Sequence, residues 1–124
     1  MNLWWPTFTD VQEWLADNGY GTSDWGLVNA ALARPLTTVG GNDAYPDLFD
    51  KAAALLDSIE RSHPFVDGNK RVGFLLVDLV LRGNGIDDSA VTDDAWYELI
   101  METASTHLEV AELAQRLRGL VDAN

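Results

Sequence analysis

Nine consecutive residues, His63-Pro64-Phe65-Val66-Asp67-Gly68-Asn69-Lys70-Arg71, bring together an imidazole, a carboxylate, a glycine, an amide and two adjacent cations. Each type has a use in phosphate chemistry. An imidazole ordinarily titrates near neutrality, so His63 can take a proton from an alcohol and later release it. Asp67 offers an oxygen ligand to Mg²⁺, which favours one or two carboxylates plus substrate phosphates; the same side chain could instead cap the helix that follows. Gly68 permits close backbone approach to a ligand, or simply a turn with positive φ. Asn69 can donate its amide to a phosphate or cap the helix. Arg71 presents a planar fork that matches phosphate oxygens, whereas Lys70 supplies a flexible point charge. Pro64 and Phe65 read as structural, one stiffening the loop and the other anchoring it in the core.

The apolar run Val72-Gly73-Phe74-Leu75-Leu76-Val77 follows at once and reads as the first turns of a buried helix. A loop feeding a helix start offers unpaired N–H groups and the positive end of the helix dipole, both of which favour a bound anion. Twenty acidic residues against eight basic ones give a net charge of −12. That balance argues against general nucleic-acid binding, which needs many phosphate-neutralising cations. It also sets Lys70 and Arg71 apart, since two of so few cations stand side by side at a helix start. The other histidine, His107, has no such surroundings and reads as a loop residue.

The elements that must position the motif are helical. Thr9 is expected to cap a first helix, with Gln12 completing the box, Val11, Trp14 and Leu15 forming its stripe and Asn18-Gly19 its end. A second helix spans about 23–33 and stops at Arg34-Pro35. Residues 36–44 read as an exposed loop or small hairpin with an Asn42-Asp43 tip. Tyr45-Pro46 opens a third helix, carrying Phe49, Ala52, Ala53, Leu56, Ile59 and Glu60 on a helical repeat and delivering the chain to His63. The fourth, about 69–81, is apolar on nearly all faces and is expected to be the buried centre. Thr92 caps a fifth, and a sixth spans about 108–120. The fold class is therefore all-α, a compact six-helix bundle in one domain over residues 1–124. Cysteine is absent, so disulfides and thiolate metal sites are excluded. The N-terminal stretch from Met1 to Pro6 has no signal-peptide pattern, and no run reaches membrane-spanning length, so a cytoplasmic protein without membrane partners is expected.

The ungapped His63–Arg71 pattern closely resembles the signature of the Fic/Doc superfamily. Ala30-Ala31-Leu32-Ala33-Arg34-Pro35, Tyr45-Pro46-Asp47-Leu48-Phe49 and Lys51-Ala52-Ala53-Ala54-Leu55-Leu56 are similar to its death-on-curing (Doc) branch, so the resemblance covers about residues 9–117. It implies transfer of part of ATP to a protein hydroxyl. His63 is then the base, Asp67 the Mg²⁺ ligand, and Gly68, Asn69, Lys70 and Arg71 the phosphate cradle. Thr37, Thr38, Val39 and Gly40 match the family's flap, where an extended piece of the target aligns. Lysine at position 70, where AMP-transferring relatives have glycine, implies γ-phosphate transfer. Doc-type toxins of this kind phosphorylate a threonine of elongation factor Tu and are silenced by a cognate antitoxin. Gly68 departs from the alanine of that branch, and Trp4-Trp5 and Asp24-Trp25-Gly26 depart from its pattern too. Two alternatives stand beside the kinase: a Fic-like adenylyltransferase, and a catalytically idle member that only binds a partner.

Overall fold

In the computed structural model, three helices begin where a short polar side chain accepts a backbone N–H. The structure describes residues 3–122; Met1 and Asn2 of the N-terminal stretch, and the last two residues, lie outside it. The first helix, α1 (Phe8–Asp17), is capped by Thr7, whose Oγ1 accepts from the Asp10 N–H at 3.2 Å. The expected cap, Thr9, lies inside the helix. The earlier start brings Phe8 edge-on to Trp25 at 6.5 Å, with Val11 and Leu15 buried behind it. Asn18 ends the helix as expected, followed by Gly19 at φ 87°.

Helix α2 (Trp25–Ala33) starts two residues later than expected, because the Thr22 hydroxyl accepts from the Asp24 N–H at 2.9 Å and holds a turn there. The chain then runs through a 3₁₀ turn, Arg34–Leu36, instead of stopping at Arg34. Proline suits the start of a turn where its missing N–H is not needed. A small hairpin follows, β1 (Thr38–Val39) and β2 (Asn42–Asp43), antiparallel with Thr38 opposite Asp43 and Val39 opposite Asn42. Its tip is Gly40-Gly41, both at positive φ, and not the expected Asn42-Asp43 pair, which lies in the second strand. Two consecutive left-handed residues are what a tight hairpin turn demands, and glycine adopts them most cheaply.

Helix α3 (Leu48–Ser62) opens on a capping box of Asp47 and Asp50, two residues beyond the expected Tyr45-Pro46 start. Helix α4 spans Asn69–Gly83, α5 Asp93–Thr106 with Thr92 as its expected cap, and α6 Val110–Asp122. Six helices with only this one hairpin, among the described residues, make the fold all-α.

The buried centre is α3, not α4. It packs against α2, α4, α5 and α6, and ten of its residues are buried. Ala52, Ala53 and Ala54 let neighbours approach it from several sides. Helix α4 buries Val72, Leu76, Val77 and Val80 but leaves Lys70, Arg71 and Arg82 in solvent. No helix among the described residues is long and apolar enough to cross a membrane.

Candidate active site

His63 is the last residue held by α3, in the left-handed conformation at φ 49° and ψ 59°, with its N–H on the Ile59 carbonyl at 3.1 Å. Histidine tolerates that region better than most non-glycine residues. The turn throws the chain away from the helix axis and leaves the His63 side chain exposed at the mouth of the loop.

Residues 64–68 are pinned from two directions. From below, the buried Asn69 side chain accepts from the Phe65 N–H at 3.0 Å and donates to the Phe65 carbonyl at 2.7 Å. From the side, Thr22 donates to the Pro64 carbonyl, and Phe65 lies edge-on to Trp25 at 5.8 Å and to Tyr20 at 6.4 Å. Trp25 is thus a buttress of the loop. Phe65 is the anchor the sequence suggested, 3% exposed.

The two bonds to Phe65 fix how the Asn69 amide points, so Nδ2 faces His63 Nδ1 at 3.3 Å. In that arrangement the neutral imidazole accepts at Nδ1 and carries its proton on Nε2. The amide is engaged in holding the loop and the histidine, and is not turned out toward a ligand.

Gly68 stands at the N-cap of α4 at φ 91°, where a Cβ would meet the Tyr20 ring at 3.0 Å. Asp67 does not cap the helix; it is exposed just ahead of it. The start of α4 therefore has no side-chain cap; α2 lacks one too, whereas α1, α3 and α5 have one. Its first N–H groups are left for water or for an anion.

The charges around this helix start are distributed unequally. Of the eight Lys and Arg residues, Arg34, Lys51, Arg61, Arg82, Arg116 and Arg118 contact a carboxylate. Among the described residues, Lys70 and Arg71 are the two cations without one. Arg71 rests over the Phe74 ring at 5.3 Å. Within reach of the Lys70 charge lies Glu60, 1% exposed, both of its carboxylate oxygens without a hydrogen-bond partner. Burial pushes its pKa up to about 7, and the charge of Lys70 works against that rise. Sequence reading used Glu60 only as a helix position; its approach to α4 depends on Gly73, which no local pattern marks.

The hairpin residues Thr37, Thr38, Val39 and Gly40 are all exposed. The base of the hairpin is tied to α3. Arg34 Nε donates to the Tyr45 hydroxyl at 2.9 Å and Nη1 to Asp57 at 2.8 Å, while the buried Lys51 donates to the Tyr45 carbonyl. The helix that presents His63 thus also carries the hairpin.

A model described as the Fic/DOC family matches residues 7–81, more than half of the chain. The chain belongs to the Fic/DOC family. It is also 45% identical over 101 residues to a protein of Mycolicibacterium smegmatis named Toxin Doc, covering 81% of this chain and 78% of that one. The family match takes in α1 to α3 and α4 as far as Leu81, and with them the hairpin and every residue from His63 to Arg71. Helix α5 lies beyond it.

Among the described residues, no three His, Cys, Asp or Glu side chains cluster as a metal cage. Asp67 alone suits a Mg²⁺ whose remaining ligands are phosphate oxygens and water, the way that ion is commonly held.

Proposed function

We propose that this Fic/DOC protein is the toxin of a toxin–antitoxin pair and a kinase, moving the γ-phosphate of ATP to a threonine hydroxyl of a translation factor, by resemblance elongation factor Tu. The observation that carries the reading is the uncapped start of α4, flanked by the two cations that lack carboxylate partners and by His63. The name of the Mycolicibacterium smegmatis relative supports the toxin half.

In the transfer, His63 takes the proton of the acceptor hydroxyl, its oxygen bonds to the γ-phosphorus, and the bond to the β-phosphate oxygen breaks to release ADP. Accepting that proton at Nε2 requires the other tautomer, with Nδ1–H turned off the Asn69 amide. The 3.3 Å separation marks a weak contact that the ring can give up. Lys70, Arg71 and the free N–H groups of α4 neutralise the charge that grows on the phosphates, a role worth most where water is excluded. Asp67 would hold Mg²⁺, which screens the phosphates when bound. The hairpin offers exposed backbone and Val39 for an extended segment of the target. An antitoxin segment that folds on binding, covering the groove, would silence the site.

Incubating the protein with translation factors and ATP, followed by mass spectrometry of intact proteins and peptides, tests this. Addition of one phosphate to a threonine is the expected result. Addition of AMP would replace the kinase with the adenylyltransferase, and no modification of any factor would leave a partner-binding protein.

A further inference from the structure

Glu60 stands where the two halves of the site meet. On α3 it precedes His63 by three residues, and across the helix contact it faces Gly73, which follows Lys70 by three residues on α4. Positions three apart share a helix face. The carboxylate is thus set on the seam that joins the end of α3 to the start of α4. It is 1% exposed, and neither oxygen has a hydrogen-bond partner. A buried carboxyl group without partners costs stability, so holding the fold does not account for it.

The charges around it leave one candidate for what it does. On its own helix, Asp57 is taken by Arg34 at 2.8 Å and by Arg61 at 2.7 Å, and Lys51 by the Tyr45 carbonyl. His63 faces the Asn69 amide. Of the elements packed on α3, α4 alone brings a charge to act on Glu60 among the described residues, while α2, α5 and α6 bring none. That charge is Lys70, which has no carboxylate within ion-pair distance.

We propose that Glu60 is a positioning residue acting through Lys70, a counter-charge that is discharged when the site fills. With the helix start empty, the ionised carboxylate draws the Lys70 ammonium toward α3. A polyphosphate at the start of α4 makes the buried anion costlier still. Glu60 then takes one proton from solvent, and the whole charge of Lys70 passes to the phosphates. Release of the anion reverses both steps, and the O–H bond of the acid is the only bond made or broken. This role rests on the reading of the α4 start as a phosphate site and adds control of that site by protons.

The pH range follows from the surroundings. Burial pushes Glu60 up to about 7, and Lys70 works against that rise. An anion that engages Lys70 removes the restraint and adds its own repulsion, so Glu60 titrates higher in the loaded protein. Well below about 7 the acid is already neutral, and binding takes up no proton. As pH rises through about 7 the empty site carries the anion, which binding must discharge, and affinity falls.

Trimetaphosphate, whose charge is constant across the neutral range, is a suitable probe. In the full chain with ¹³C-labelled glutamate, the Glu60 carboxyl carbon reports its own titration by NMR, and the amides of residues 69–71 report whether the anion is bound. The carbon is expected to titrate in the neutral range without the anion and at higher pH when the anion saturates the site. Lys70→Met, at an exposed side chain, is expected to raise the anion-free midpoint. Wild-type affinity is expected to fall from pH 6 to pH 8 by at least about threefold more than that of Glu60→Gln; the wild-type titration carries the test if that variant does not fold. A Glu60 carbon that titrates in the ordinary carboxylate range, ignores Lys70→Met, or keeps its midpoint while the amides show the anion bound overturns the counter-charge and leaves the phosphate site standing. Amides of residues 69–71 that do not respond to the anion at any pH overturn the phosphate reading and the counter-charge with it.

Discussion

The carboxylate of Glu60 occupies the space that a side chain on Gly73 would need: an added Cβ there would lie 2.5 Å from Oε2. This contact joins α3, which ends in His63, to α4, which begins with the two free cations. It leaves a buried acid with no hydrogen-bond partner, held beside Lys70.

A pH dependence of stability follows. The folded-state pKa of Glu60 is raised from 4.5 to about 7, so the fold favours the neutral acid. Its contribution is complete below the unfolded value of 4.5 and is lost as pH rises through about 7. A shift of that size is worth up to about 3 kcal/mol. Urea denaturation at pH 5 and pH 8 is expected to find Glu60→Gln less sensitive to that pH change than wild type. Parallel pH profiles for the two proteins would refute the assignment.

Gly73→Ala tests the same contact sterically. The new methyl meets Glu60 Oε2 and, at 2.8 Å, Leu56 Cδ1, and overpacking of this kind costs roughly 1–3 kcal/mol. The loss should shrink when Glu60→Ala is added, since the double variant vacates the space; a fully additive pair would show that the helices do not meet there.

Asn69→Ala removes the partner of both the Phe65 N–H and its carbonyl. Leaving buried polar groups unsatisfied costs about 1–3 kcal/mol for each. Thermal melting should fall, and backbone amides of residues 65–68 should exchange faster with solvent. Unchanged exchange in that segment would mean the loop is held by Tyr20, Thr22 and Trp25 without Asn69.

His63→Asn keeps a residue that tolerates the left-handed region while removing the imidazole. The variant is expected to melt like wild type, to lose several orders of magnitude in transfer rate, and to lack the growth arrest expected of the wild-type chain. A folded variant of undiminished toxicity would remove His63 from the chemistry.

Label from γ-³²P-ATP should reach the target protein, and label from α-³²P-ATP should not. Lys70→Gly is expected to depress phosphate transfer strongly without creating AMP transfer, because the substitution removes one charge and leaves the rest of the site as it is. Transfer of the α-label by the wild-type chain would show that Lys70 does not decide the direction.

Much of this was readable from the chain alone, and the exceptions share a cause. The Thr92 cap, the Asn18-Gly19 stop and the burial of Phe65 depend on neighbours a few residues away, and the sequence carries them openly. The choice of Thr7 over Thr9 depends on Phe8 reaching Trp25, and the Gly40-Gly41 tip on pairing across the hairpin. The central place of α3 was hidden because it carries Lys51, Asp57 and Glu60, residue types almost never fully buried unless paired. Those side chains are buried because Arg34, Tyr45 and Gly73 come to them from elsewhere in the chain. Within the site, the order His63 to Arg71 was plain, but the inward turn of the Asn69 amide and the buttress of Tyr20, Thr22 and Trp25 were not.

The pairing of six cations with carboxylates has an effect well beyond those contacts. With its basic charge neutralised internally everywhere but at Lys70 and Arg71, the molecule presents a negative field at long range and a small positive window at short range. An approaching polyanion is repelled until it is within about a Debye length of the window, about 8–10 Å at physiological ionic strength. Added salt should therefore hasten its arrival even as it loosens its final hold, so the window sorts its visitors by distance: only an anion small enough to slip between the acidic surroundings reaches the helix start.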